Sequence, residues 1–353
     1  MNTRRLAPTT KLALFPFLAA LALPCPVAAQ EAQPHDSAYS PGAWRVYDGA
    51  GAPSTLEEVV ADMAEHEVVF VGETHDDPTG HMLEAELLRR ANEAYASRGV
   101  VLSMEFFEHD VQQVVDEYLA GLISESSFEN DSRPWSRYDS DYRPMVEYAK
   151  DNGLPVVAAN APRRYVSGVS QHGRENLDGL GPAALADLAP LPYGEASEAY
   201  TNQWIQQISE VMDQEGMKCG VPLDELPDGV DAGPPPPPPG AHAQMGNQLQ
   251  AQVLWDATMA YWINDALLRR PDALVLHYVG GFHVARDTGT PEQLRRYRPG
   301  ASTMIVMLRP VDDVDTFEPA PAGAWGDFVI QTDGSRTLEA IECRELLEEI
   351  GRG

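Results

Sequence analysis

Val68-Val69-Phe70-Val71-Gly72-Glu73-Thr74-His75 is an apolar run that stops at a glycine and continues into an acid and a histidine. Short, β-branched and bounded by glycine, it predicts a strand buried on both faces, as in a parallel sheet. Far downstream the same grammar returns in Ala273-Leu274-Val275-Leu276-His277-Tyr278-Val279-Gly280-Gly281-Phe282-His283. In an open α/β sheet the carboxyl ends of the strands gather on one edge, and ligand crevices form there. Two strands that each end in glycine and then histidine would bring two imidazoles and a carboxylate to one crevice.

Working outward, strands and helices alternate. Ser54-Thr55-Leu56-Glu57 reads as a capping box opening a helix to about residue 65. Asp77-Pro78 starts a second helix, with Asp77 as its cap. A strand over 100–104 ends at Glu105, and a helix over 110–119 follows. Another helix over 143–150 closes at Asn152-Gly153, and the strand over 154–159 ends at Asn160. A long helix over 244–269, strands over 274–279, 303–308 and 328–330, a short helix from Pro291 and a terminal helix over 337–349 complete the pattern. Between 179 and 243 no strand is legible and one helix, 196–213, is expected. Six prolines at 234–239 read as a polyproline II spacer. The fold class predicted is α/β, a mainly parallel central sheet flanked by helices with a smaller helical insertion. The core would span 45–178 and 244–335, the insertion 179–243 and the C-terminal helix 336–353.

Residues 1–29 read as a secretory signal, with Arg4, Arg5 and Lys11 before an apolar stretch and Val27-Ala28-Ala29 at its end. Cys25 raises a lipid anchor, although Pro24 before it suits a lipobox poorly. An envelope or periplasmic location is therefore expected. There Cys219 and Cys343, the cysteines left after cleavage, are free to pair. The chain carries 54 acidic against 25 basic residues, a formal net charge of −29. That balance argues against nucleic acid and anionic membrane surfaces as partners.

Alternation along an extended segment places Glu73 and His75 on one side, suited to two ligands of one metal or to a carboxylate that orients a histidine. His81, one turn into the next helix, is equally readable as a surface or a site residue. Glu105, followed by Phe106 and Phe107, is placed as an acid or base beside aromatics. Asn160 leads into Ala161-Pro162-Arg163-Arg164, where Arg163 is a candidate fork for an anionic group. His283 is expected in the site, its two preceding glycines admitting a ligand closely; His277 reads as a core histidine. Glu73, His75 and His283 form the candidate metal set. The sequence holds no Gly-x-Ser-x-Gly, His-Glu-x-x-His, Walker A, Gly-x-Gly-x-x-Gly or Cys-x-x-Cys-His motif. Serine hydrolase, standard zinc protease, nucleotide enzyme and covalent haem protein all lose ground.

With those residues in view, the chain resembles the ChaN-like haem-binding proteins of the Tiki/TraB/erythromycin-esterase superfamily. The resemblance rests on Phe70-Val71-Gly72-Glu73-Thr74-His75, Ser103-Met104-Glu105, Asn160-Ala161-Pro162-Arg163, the stretch from Gln252 to Ala260, and Gly280-Gly281-Phe282-His283. It implies an envelope protein linked to haem or iron uptake, with haem held through a tyrosine and trapped between two protomers. Tyr138 and Tyr142, next to Trp135, are the candidates for that tyrosine. A homodimer and outer-membrane uptake components would be the partners. Other branches of the superfamily imply the alternative, a metal-dependent hydrolase holding a divalent ion at the Glu/His crevice. A third expectation, an envelope interaction protein, would use the proline run as a partner motif.

Overall fold

The computed structural model describes residues 42–213, 217–222, 226 and 245–352. The expected signal, Cys25 and the proline run lie outside the described residues.

In chain order, strands β1 (Trp44–Asp48) and β2 (Pro53–Ser54) lead into α1 (Leu56–Asp62), β3 (Val68–Glu73), α2 (Pro78–Tyr95) and β4 (Val100–Glu108). Helices α3 (Gln112–Leu119), α4 (Glu125–Ser132), α5 (Tyr138–Asp141) and α6 (Arg143–Asn152) follow, then β5 (Val156–Asn160). Next come α7 (Arg163–His172), α8 (Pro182–Leu185), α9 (Glu198–Asp213) and the hairpin β6 (Met217–Lys218) and β7 (Val221–Pro222). The chain returns through α10 (Met245–Arg269), β8 (Leu274–Gly280), α11 (Thr290–Tyr297), β9 (Thr303–Val311), β10 (Phe328–Asp333) and α12 (Leu338–Arg352).

Eight strands form one sheet in the order β2-β1-β10-β9-β3-β8-β4-β5. From β10 to β5 every pairing is parallel, and only β1 and β2 run antiparallel, at one edge. The expected α/β architecture is therefore the one found. Burial of both faces explains the unbroken apolar runs: Val69 and Val71 meet α1 and α2 on one side, while Val68 and Phe70 meet α10 and α11 on the other. Because β8 inserts between β3 and β4, the carboxyl ends of these three strands lie side by side, where a sheet of this kind opens a crevice.

Several local expectations need correction. The cap of α1 is Thr55, whose side chain accepts from the Glu58 amide; Ser54 instead donates to the Glu58 carboxylate. β4 runs past Glu105 to Glu108, because a bulge sets Met104 opposite Ala158 and Glu108 opposite Asn160. The break at 179–243 does contain strand, a two-residue hairpin too short to show as a period in sequence. Asp77 caps α2 as expected, accepting from the Thr79 amide, and its other oxygen accepts from Thr332 at 2.6 Å. Asp76 holds the start of α12, its carbonyl and carboxylate accepting from the amides of Leu338 and Glu339. Cys219 and Cys343 are joined in a disulfide that ties the hairpin to α12.

Candidate functional site

The first wall of the crevice grows out of β3. Extended geometry carries Glu73 and His75 to the same side, and His75 Nδ1 pairs with Glu73 Oε1. The Glu73 carboxylate is fully buried, whereas the His75 ring is half exposed. Burial alone would lower the His75 pKa, but the hydrogen bond and charge of Glu73, with Glu105 behind it, raise it overall. Pinning Nδ1 leaves Nε2 as the nitrogen available to a ligand. The ring lies over Gly280: a Cβ there would sit 2.9 Å from His75 Cε1 and 3.1 Å from Nε2. The glycine expected to admit a ligand thus admits the histidine. Trp135 closes the other side of the ring edge-on, centroid to centroid 5.1 Å.

Beneath lies His81, almost wholly buried. Its Nε2 donates to the His75 carbonyl at 3.2 Å and its Nδ1 to Glu84 at 3.1 Å. Burial opposes its charge, yet Glu84, Glu73 and Asp141 pull its pKa up to about 10. Arg137 also donates to the His75 carbonyl and pairs with Asp141. The turn carrying His75 is therefore gripped from below by two cations, and His81 supports the site from behind its wall.

The second wall comes from β4, β5 and β8. The bulge turns Glu105 toward the crevice while Phe106 and Phe107 enter the core. Glu105 Oε2 accepts from the Gly280 amide at 2.7 Å, tying the ends of β4 and β8 together. Asn160 Oδ1 accepts from the Ala161 amide and shapes the turn into α7. His283 is buried, with Nδ1 2.8 Å from Asp256 Oδ1 and Nε2 3.7 Å from Glu105 Oε1. Burial works against its charge, but Asp256 and Glu105 push its pKa up to about 9. Asp256 also accepts from Thr290 at 2.8 Å and from Tyr200. His277 behaves as the core histidine expected: buried against Ser103 at 2.9 Å, its pKa is lowered by burial to about 3.

Glu73, His75, Glu105, Asn160, Arg163 and His283 all line one crevice of about 840 Å³. Trp135, Trp255, Phe282, Met307 and Trp325 supply apolar surface, and Arg286 and Arg309 add cations. Tyr138 and Tyr142 do not line it. Tyr138 packs among Phe107 and Phe128, its hydroxyl without a partner among the described residues. Tyr142 stacks on Phe106 at 3.8 Å; burial, then the charges of Glu73 and Glu84, push its phenol far above the usual range. Their short helical segment turns both rings inward, a direction that spacing from Trp135 does not reveal. Nor do Glu73, His75 and His283 gather around a common point: Glu73 serves His75 and faces His81, while His283 is bonded to Asp256. Among the described residues no group of three or more His, Cys, Asp or Glu is arranged to hold a metal ion. Asp256 and Gln203, which steady His283 and Arg286, were not singled out by sequence reasoning; the available signal was an acid inside the apolar face of α10.

Residues 59–294 match the family model described as haem-binding uptake, Tiki superfamily, ChaN. The chain belongs to the ChaN family. A ChaN structure from Campylobacter jejuni, titled for its cofacial haem binding, superposes with a TM-score of 0.59. That match covers 82% of this chain and 97% of that one at 14% identity, a likeness that establishes the ChaN fold. Protein RETICULATA-RELATED 5, chloroplastic, of Arabidopsis thaliana is 24% identical over 282 residues. These residues are 75% of this chain, and the match spans 35% of that longer protein. An erythromycin esterase in its open conformation superposes with a TM-score of 0.40, at 11% identity over 82% of this chain and 83% of its own.

Proposed function

We propose that this ChaN-family protein binds haem in the crevice at the strand ends, as an exported carrier serving haem or iron uptake. The observation that carries the reading is the His75 ring, pinned through Nδ1 by Glu73 and half open to a crevice walled by flat aromatic side chains. Haem is flat, largely apolar, edged by two carboxylates, and its iron takes histidine nitrogen. A space of about 840 Å³ falls within the range of roughly 300–1,000 Å³ usual for ligand pockets. His75 would hold the iron, Trp135, Trp255 and Trp325 would flank the ring, and Arg163 at the start of α7 would meet an edge carboxylate. His75 is preferred over Tyr138 and Tyr142 because a phenol must ionise to hold ferric iron, and burial opposes that in both. Bound iron would supply redox chemistry; the protein's contribution is orientation and exclusion of water. The Cys219–Cys343 disulfide supports an oxidising compartment, in keeping with the export signal read at 1–29. Haem shared between two copies, and transfer to outer-membrane uptake components, belong to the same reading.

Titrating the purified protein with haemin while recording absorption tests it. A saturable Soret change is expected, retained in Tyr138→Phe and Tyr142→Phe and altered or lost in His75→Ala. No saturable change would overturn the reading; a spectrum unchanged in His75→Ala would remove His75 as the ligand.

A second reading, hydrolysis, is favoured by one observation: two histidine–carboxylate pairs, His75–Glu73 and His283–Asp256, border one crevice with Glu105 between them. His75 would then act as general base on water, oriented by Glu73. Turnover of ester or amide substrates, lost in His75→Ala, is its test.

A further inference from the structure

Beyond residue 294, where the family model stops matching, the chain adds further surface to the crevice. Arg309 stands near the end of β9, and its guanidinium carbon lies 3.6 Å above the Trp325 ring. Its Nη1 is buried and has no hydrogen-bond partner among the described residues. A buried guanidinium nitrogen left bare is costly, and such atoms are nearly always paired. Arg286 sits beside it: its backbone amide donates to the Trp325 carbonyl at 2.9 Å. Its backbone is left-handed, at φ 59°, a conformation that side chains rarely adopt unless their surroundings hold them there. Arg286 Nε donates to Gln203 Oε1 at 2.9 Å, and Gln203 is in turn fixed by donating to the Phe282 carbonyl at 2.8 Å. Trp325 thus joins two arginines, through its ring and its carbonyl, at the crevice rim formed with Pro319 and Pro321. In a chain of net charge −29, cations set this way are not a general basic surface.

We propose that Arg309, Arg286 and Trp325 form a carboxylate-binding subsite for a ligand whose planar ring system lies in the crevice. Guanidinium groups are matched to carboxylates by their paired donors, and stacking on an aromatic ring holds the fork in plane. The subsite lies away from Arg163. β9 and β5 are four strand spacings apart, about 19 Å at about 4.8 Å each. The two cationic ends lie on either side of the His75 wall, and a haem, whose two propionates leave one edge of its ring, would turn that edge to one of them. The inference rests on the haem reading for its ligand, and the shared chemistry is a carboxylate carried by a planar ring system, either a haem propionate or a smaller free acid.

The test compares wild type with Arg309→Met and Arg286→Met, all checked by thermal melting, against haemin and haemin dimethyl ester, which differ only in their free carboxylates. Wild type is expected to bind haemin at least tenfold more tightly than the ester. Either variant should lose about 10- to 100-fold in haemin affinity, with ester affinity unchanged. Should both variants bind haemin like wild type, or lose haemin and ester equally, the subsite is overturned while haem binding stands. If wild type binds neither porphyrin, the haem reading falls. The subsite is then read with pyrene-1-carboxylate against pyrene-1-methanol by tryptophan quenching. Carboxylate-selective binding lost in Arg309→Met keeps the subsite for a smaller acid, and no selective binding overturns it. If one variant fails to fold, the other decides.

Discussion

Glu73→Gln gives the sharpest test of how the crevice works. The substitution keeps the shape of a fully buried side chain and removes its charge. The His75 imidazolium then loses a hydrogen bond to a carboxylate and the Coulomb attraction behind it. A hydrogen bond to a charged group contributes about 1.5–3 kcal/mol, so its loss should lower the His75 pKa. The His75 ring is half exposed, so solvent screening places the loss at the lower end of that range. The direction follows from the present balance: burial lowers the His75 pKa, Glu73 is the first influence that raises it, and removing Glu73 lets burial win. NMR titration of the His75 ring protons reads the shift directly. Because iron takes the neutral ring, haemin affinity should rise with pH through the raised pKa in wild type and at lower pH in Glu73→Gln. A His75 titration unchanged by Glu73→Gln would refute the account of Glu73 as the residue that orients and charges it.

His81 and His283 are both held above their ordinary pKa, at about 10 and about 9. Their contribution to stability is full below about pH 6.5 and is lost as pH rises toward those values, so melting temperature should fall from pH 6.5 to 10. His81→Gln should flatten part of that fall, and a flat wild-type profile in stepped-pH melts would contradict both assignments. Phe106, stacked on Tyr142 and edge-on to Trp135, should cost about 3–5 kcal/mol when truncated to alanine, measured by urea unfolding; a loss below 1 kcal/mol would show that the aromatic cluster is not packed as described. The disulfide closes a sequence separation of 124 residues, for which chain entropy gives at most about 5 kcal/mol, so reductant should lower the melting temperature of wild type and leave Cys219→Ser unmoved.

The strands that build the crevice were legible because parallel strands buried on both faces leave unbroken apolar runs, and each run stops where polar residues begin. That is why Glu73, His75, Glu105, Asn160 and His283, taken from strand ends, line one cavity. The bulge in β4 was not legible, since Phe106 and Phe107 prolong the apolar run whether or not the register shifts. Depth was also hidden: His81 on α2 reads equally as a surface or a site residue, yet it is buried, and three carboxylates around it make that burial tolerable. Tyr138 and Tyr142 failed to reach the crevice because helix phase over α5 and α6 depends on how those short helices dock, not on their neighbours in sequence. Arg309 and Trp325 escaped notice because nothing local distinguishes a strand-end arginine from a surface one; only the fold brings the two side chains together.

Gln203, Gln206 and Gln207 place α9 along the rim of the crevice, and six residues after α9 ends the chain reaches Cys219. Cys219 is bonded to Cys343 in α12, and α12 begins on Asp76, beside His75. The helix that borders the crevice is thus tied, through the disulfide, to the element that steadies the turn carrying His75. Reduction of the disulfide would remove that tie without touching any residue that lines the crevice, so the redox state of the compartment would bear on how firmly the crevice is bordered.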